Sequence, residues 1–121
     1  MDYNSELEMP SEVMPGVRFR IRRMSFGRRL DLMKRVRELT GRMEYFQAGN
    51  SPAERIEAAM LSAEVERLYL NWGVSRIEGL DVDGKPADLE ALFETAPESL
   101  CAEAVAAVKR ECGLSEDERK N

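Results

Sequence analysis

The stretch that decides the fold is Ala48-Gly49-Asn50-Ser51-Pro52-Ala53-Glu54. Ser51 and Glu54 have the spacing of a capping box, and Pro52 stands at the first helical position, so a helix is predicted to begin there. Gly49 and Asn50 favour the end of a preceding helix. Two helices separated by so short a loop predict an αα-hairpin.

The first helix of this hairpin is predicted to begin at Phe26, with Ser25 as its N-cap. Apolar residues follow at steps of three and four, which is the spacing of an amphipathic helix. This stripe consists of Phe26, Leu30, Met33, Val36, Leu39, Met43 and Phe46.

The second helix is predicted to run to about Trp72-Gly73 and to be apolar on two opposed sides. One stripe consists of Ala58, Leu61, Val65, Leu68 and Trp72. The other consists of Ile56, Ala59, Met60, Ala63 and Leu70. A helix of this kind must be covered twice. Either the first helix and the C-terminal part of the chain cover it, or one stripe meets a partner or a second copy.

The remaining segments predict a small β element and a helical cap. Residues 17–22 alternate between apolar and basic, which is typical of a strand with one buried face. We expect an antiparallel β element from Val17 to Met24 and from Val74 to Val82, with a turn at Asp83-Gly84. Short helices are predicted over residues 89–95 and 97–112. The predicted fold is therefore mainly α: a long αα-hairpin, a small antiparallel β element and a C-terminal helical cap.

Residues 1–15 are expected to form a flexible acidic N-terminal arm or an edge segment, and residues 16–121 a single helical domain. The arm carries four acids, no base and two prolines. Its N-terminus lacks the apolar core of a signal peptide, so a cytoplasmic location is expected. No apolar run reaches the length needed to span a bilayer, and no membrane association is predicted.

Charge is distributed unevenly along the chain. Residues 16–42 contain ten Lys or Arg against Asp31 and Glu38, a net charge of +8. The full chain carries −5, so the remainder carries −13. Such a separation favours binding to a charged partner.

The composition argues against catalysis. The chain contains no histidine, which is the commonest general base and metal ligand. We therefore predict no enzyme activity, no catalytic residues, no metal site and no cofactor. Cys101 and Cys112 lie about three turns apart on one predicted helix, too far apart for a disulfide, and are expected to be buried thiols.

The basic segment allows three interpretations. Its arginines could follow a nucleic-acid backbone, bind an acidic protein surface, or pair with acidic helices of the same chain. The pI of about 4.9 disfavours nucleic acid.

Several short motifs together resemble the small tail assembly chaperones of long-tailed bacteriophages and prophages. They are Met24-Ser25-Phe26-Gly27-Arg28-Arg29, Leu68-Tyr69-Leu70-Asn71-Trp72-Gly73, Gly79-Leu80-Asp81-Val82-Asp83-Gly84, Ala96-Pro97-Glu98-Ser99-Leu100 and the ending from Gly113 to Asn121. The resemblance covers roughly Arg18 to Asn121, and the order and spacing of the motifs carry it.

The resemblance implies a non-enzymatic protein that binds the long, helical tape measure protein in the host cytoplasm and assists tail-tube assembly around it. The tail-tube protein is a possible second partner. Such a client needs an apolar groove, which the second helix and nearby methionines could line. The candidate partner-binding residues are Arg18, Arg20, Arg22, Ile56, Met60, Leu61, Val65 and Leu68. A homo-oligomer is also expected. The alternatives are a nucleic-acid-binding regulator that uses residues 16–42, and a structural subunit of the tail or its connector.

Overall fold

The acidic N-terminal segment forms a β-strand. The computed structural model describes residues 1–113, so the Leu-Ser-x-x-Glu-Arg-Lys-Asn ending of the resemblance lies outside the described residues. In chain order the elements are β1 (Glu6–Pro10), β2 (Arg18–Arg22), α1 (Phe26–Gln47), α2 (Pro52–Gly73), β3 (Val74–Glu78), β4 (Asp81–Val82), β5 (Lys85–Pro86), α3 (Leu89–Glu94) and α4 (Glu98–Glu111).

The prediction of a mainly α fold is wrong. The described residues form four helices and two antiparallel sheets, so the fold is mixed α/β, although helix dominates. The larger sheet has the order β1-β2-β3. Its pairing of β2 with β3 agrees with the antiparallel β element predicted from the sequence. The added strand is β1, which lies within the segment expected to be a flexible arm.

The structure divides into two compact units, where one helical domain over residues 16–121 was expected. One unit contains residues 1–24 and the chain from Tyr69 onward. The other unit contains Ser25–Leu68. The last turn of α2 therefore belongs to the first unit, together with the sheet, α3 and α4.

The first unit has a core between the sheet and α4. The alternation of β2 places Val17, Phe19 and Ile21 on the buried side of the sheet. α4 packs on β2, and α3 packs on α4 and β3. The face that α4 buries consists of Leu100, Ala104, Val105, Ala107 and Val108. The two cysteines form no disulfide with each other, as expected from their spacing; Cys112 is buried as predicted, whereas Cys101 is only half-buried.

Gly73 allows a close approach between α2 and α4. A Cβ atom placed on Gly73 would lie 2.3 Å from Cγ1 of Val108 and 2.6 Å from its Cγ2. Ordinary van der Waals contacts are about 3.5–4.0 Å. Any side chain at Gly73 would therefore force Val108 or the helix that carries it to shift, which gives a physical reason for a glycine at this position.

The connection between β3 and α4 follows the turn chemistry of its sequence. Asp83 and Gly84 both have positive φ, 53° and 81°, which is the geometry of a tight turn between β4 and β5. Asp88 caps α3 by accepting a hydrogen bond from the Ala91 N–H at 2.8 Å. Gly113, also at positive φ, follows the end of α4.

The second unit is the helical hairpin of α1 and the greater part of α2, joined by residues 48–51. Ser25 accepts a hydrogen bond from the Arg28 N–H at 3.2 Å, as predicted. Ser51 accepts one from the Glu54 N–H at 3.1 Å and donates its hydroxyl to the Glu54 carboxylate at 2.7 Å. The capping box therefore fixes the start of α2 immediately after the loop.

The predicted stripe of α1 does not lie on one side of the helix. Phe26, Leu30 and Met33 are exposed, whereas Val36, Leu39, Met43 and Phe46 are half-buried. Four of the six steps between these residues are three residues long, and each such step turns the stripe by about 60°. The stripe winds around α1, so only part of it can be covered on one side of the helix. The buried residue at the start of α1 is Leu32.

None of the helices within residues 1–113 combines the length and the apolar character that crossing a bilayer requires.

Candidate functional site

The predicted arginine row lies on the side of the sheet opposite the core. Arg18, Arg20 and Arg22 alternate with the buried residues of β2. In the register between β1 and β2, Glu8 stands opposite Arg20, and Glu6 stands opposite Arg22. Opposite charges on directly paired residues stabilise an antiparallel sheet. The acids of the N-terminal segment therefore face the basic strand, and not the solvent alone.

Glu78 on β3 is the centre of this charge network. Its carboxylate lies 3.0 Å from Nε of Arg20, 3.2 Å from Nε of Arg76 and 3.6 Å from Nη2 of Arg18. Arg18 also lies 3.5 Å from the Glu8 carboxylate. The hydrogen bond from Arg20 lowers the pKa of the Glu78 carboxyl, and the same bond raises the pKa of the Arg20 guanidinium.

This network changes the interpretation of the arginine row. Arg18 and Arg20 bind carboxylates of their own sheet, and Arg22 is half-buried opposite Glu6. An external acidic partner would have to displace these glutamates. The three arginines therefore stabilise the sheet and are a weak choice for the partner surface.

The structure separates the five apolar candidates of α2 into two sides. Leu61 is buried, with 3% of its surface exposed, and Val65 and Leu68 are half-buried. Ile56 and Met60 are 61% and 56% exposed. The groove predicted from all five residues is therefore not one surface.

The exposed side of α2 is an apolar strip along the hairpin. Ile56, Ala59, Met60 and Ala63, here called the α2 outer face, are all exposed. Leu70, at the end of the same stripe, is buried in the first unit. This second apolar stripe of α2 is therefore buried at its C-terminal end, at Leu70, and exposed from Ile56 to Ala63.

A second exposed apolar surface, on α1, was not among the candidates. Phe26 is 84% exposed, Leu30 49% and Met33 52%. At about 100° per residue these three lie within about 60° of one another on the helix, over a length of roughly 10 Å. Of these residues, sequence reasoning considered Met33 alone as possible lining of a groove, and it placed Phe26 on a face expected to be buried. The rotation of the predicted apolar stripe around α1, which follows from its three-residue steps, is the sequence signal that could have found this surface.

A cleft in the first unit separates β1 from α4. It has a volume of about 460 Å³ and is lined by Met9, Pro10, Glu12, Glu103, Ala106 and Arg110. The carboxylate of Glu103 accepts hydrogen bonds from the Ser11 hydroxyl and from the Glu12 and Val13 N–H groups. This carboxylate is therefore engaged in holding the loop after β1 against α4.

The acidic and thiol side chains of residues 1–113 form no group of three or more that could hold a metal ion. The exposed apolar surfaces of the hairpin are the strongest candidate for a functional site, because large apolar side chains are exposed together there. Comparison of the chain with protein-family models, with curated proteins and with solved structures gives no match.

Proposed function

We propose that this chain is a non-enzymatic tail assembly chaperone of a long-tailed bacteriophage or prophage, which binds the tape measure protein in the host cytoplasm. The motif resemblance suggests the family. The observation that carries the proposal is the concentration of exposed large apolar side chains on the hairpin: Phe26, Leu30, Met33, Tyr45, Ile56 and Met60.

Exposed apolar residues in this arrangement fit a helical client. Ile56 and Met60 are one turn apart on α2, as are Phe26 and Leu30 on α1. Rows with this spacing offer ridges and grooves into which the apolar stripe of another helix can pack. Methionine adapts its shape to varied neighbours, which suits a long client with many non-identical segments.

The experiment is capture of the tagged chain from a host in which the phage genes are induced. Bound proteins are identified by mass spectrometry, and the absorbance at 260 nm measures nucleic acid. The proposal predicts a very long helical tail protein and no nucleic acid, with the chain missing from purified virions.

Two results would overturn this proposal. Nucleic acid that is released at high salt, without a long helical client, would favour a regulator. Retention of the chain in purified virions would favour a structural subunit of the tail.

A further inference from the structure

The cations of this chain differ in whether they are already paired. Arg18, Arg20 and Arg76 bind Glu78. On α1, Nε of Arg35 lies 3.1 Å from the Asp31 carboxylate. Lys34, Arg37 and Arg42 are exposed on α1 and form no ion pair within the described residues.

Two of these unpaired cations lie beside the exposed apolar residues of α1. Taking Phe26 as the origin, Leu30, Met33 and Arg37 fall within about 40° of it around the helix, and Lys34 falls at about 80°. Arg42 falls at about 160°, on another side of α1. We name Phe26, Leu30, Met33, Lys34 and Arg37 the α1 patch.

We propose that the α1 patch docks an amphipathic helix that carries acidic residues beside its apolar stripe. The proposal rests on the proposed function and adds to it the charge of the client segment. Phe26, Leu30 and Met33 receive the apolar stripe of the helix. Lys34 and Arg37 then meet the acidic residues next to that stripe.

Charge complementarity selects this partner over others. A nucleic-acid surface would need a continuous row of free cations, but Arg18 and Arg20 of β2 are paired with Glu8 and Glu78. A three-residue apolar row also occupies the centre of the patch. A membrane-surface helix buries a long apolar face, whereas this one covers only about two turns before Arg37 interrupts it. A short apolar row with cations at one end suits a single helix of opposite charge.

Fluorescence anisotropy with two synthetic peptides tests the proposal. Both probes are amphipathic helices of about 20 residues with the same leucine stripe. One carries glutamates beside the stripe, and the other carries lysines at the same positions. We expect the glutamate peptide to bind at least about tenfold more tightly, with a preference that shrinks from about 50 mM to about 500 mM salt.

Charge-reversed variants locate the contact. Lys34→Glu with Arg37→Glu is expected to weaken binding of the glutamate peptide by about tenfold or more and to improve binding of the lysine peptide. Arg42→Glu is the matched control, because it reverses a cation that is also exposed and unpaired but lies on another side of α1, and it should change affinity by less than about twofold. Leu30→Ser should weaken binding of both peptides. Circular dichroism confirms that each variant is folded. Should the double reversal unfold, Lys34→Gln with Arg37→Gln replaces it and must still reduce the preference for glutamate.

Several results would overturn the inference. They are equal affinity for the two peptides, equal effects of the Arg42 and Lys34/Arg37 reversals, and binding of duplex DNA or anionic vesicles in place of either peptide. The proposed function is tested separately. A tape measure protein that binds the Lys34/Arg37 variant as well as the unaltered chain rejects the α1 patch alone, whereas its failure to bind the unaltered chain rejects the chaperone.

Discussion

A glutamate on the exposed side of α2 should leave the protein folded, whereas a glutamate on the buried side of the same helix should unfold it. Ile56 and Leu61 lie five residues apart on one helix, but their exposed fractions are 61% and 3%. Ile56→Glu adds a charge to a side chain that is already largely in water. Surface substitutions of this kind change the free energy of unfolding by about 0.5 kcal/mol or less. We expect the Ile56→Glu protein to remain folded and to lose client binding.

Leu61→Glu places a charge in the buried side of the hairpin. Removing the buried leucine forfeits about 2–3 kcal/mol of transfer free energy, and burying an unpaired carboxylate costs several kcal/mol more. The sum is on the order of 5 kcal/mol, which is comparable with the whole stability of a small domain. We expect Leu61→Glu to unfold the hairpin at neutral pH.

Urea titration followed by circular dichroism measures both effects. Ser62→Glu is the control for Ile56→Glu, because Ser62 is also exposed on α2 but lies about 120° from Ile56 and about 160° from Met60 around the helix. The reasoning is refuted if Ile56→Glu lowers the free energy of unfolding by more than about 2 kcal/mol, since that loss would mean that the α2 outer face is packed.

Three further predictions concern the first unit. Gly73→Ala should lower the free energy of unfolding by about 1–3 kcal/mol, and Val108→Ala should partly relieve the loss in a double-mutant cycle, because it removes the methyl groups that the new Cβ meets. Glu103→Ala should lower the free energy of unfolding, measured by urea titration, by about 1–3 kcal/mol, because the buried Ser11 hydroxyl loses its acceptor. Glu12→Ala is the control: it leaves that acceptor in place and should change the free energy of unfolding little. The lowered pKa of Glu78 gives the native state extra stability above the ordinary glutamate pKa of about 4.3, and protonation removes it as the pH falls through the native pKa. Glu78→Gln should therefore be less stable than the unaltered chain near neutral pH, and the difference should shrink in acid; a constant difference would contradict this account.

The helices and their caps could be predicted from local sequence. Ser25, Ser51 and Asp88 each accept the hydrogen bond expected of an N-cap. These signals depend on residues within one turn of each other, so no tertiary contact is needed to interpret them. The Asp83-Gly84 turn is local in the same way.

The N-terminal strand was missed although its pattern is present in the sequence. Glu6-Leu7-Glu8-Met9 alternates between acidic and apolar, as Arg18-Phe19-Arg20-Ile21 alternates between basic and apolar. Pro10 suggested a flexible arm, but proline is tolerated at the end of an edge strand. β1 and β2 are joined by residues 11–17, and only the match between the two alternations indicated that they pair.

The candidate site was predicted in part for a related reason. Periodicity identified two apolar sides of α2, and Ile56 and Met60 do lie on the exposed one. Periodicity does not show which of the two sides is covered, so Leu61 was grouped with them. Phe26 of the α1 patch was expected to be buried because the apolar stripe of α1 was treated as straight.

The central claim is that the exposed faces of the hairpin hold the client. Co-expression of the tape measure protein with this chain, followed by separation of soluble and aggregated fractions, tests it most directly. We predict that the client is soluble and bound with the unaltered chain and with Ser62→Glu, and that it aggregates with Ile56→Glu combined with Met60→Glu. A client that stays soluble and bound with that folded double variant would contradict the account.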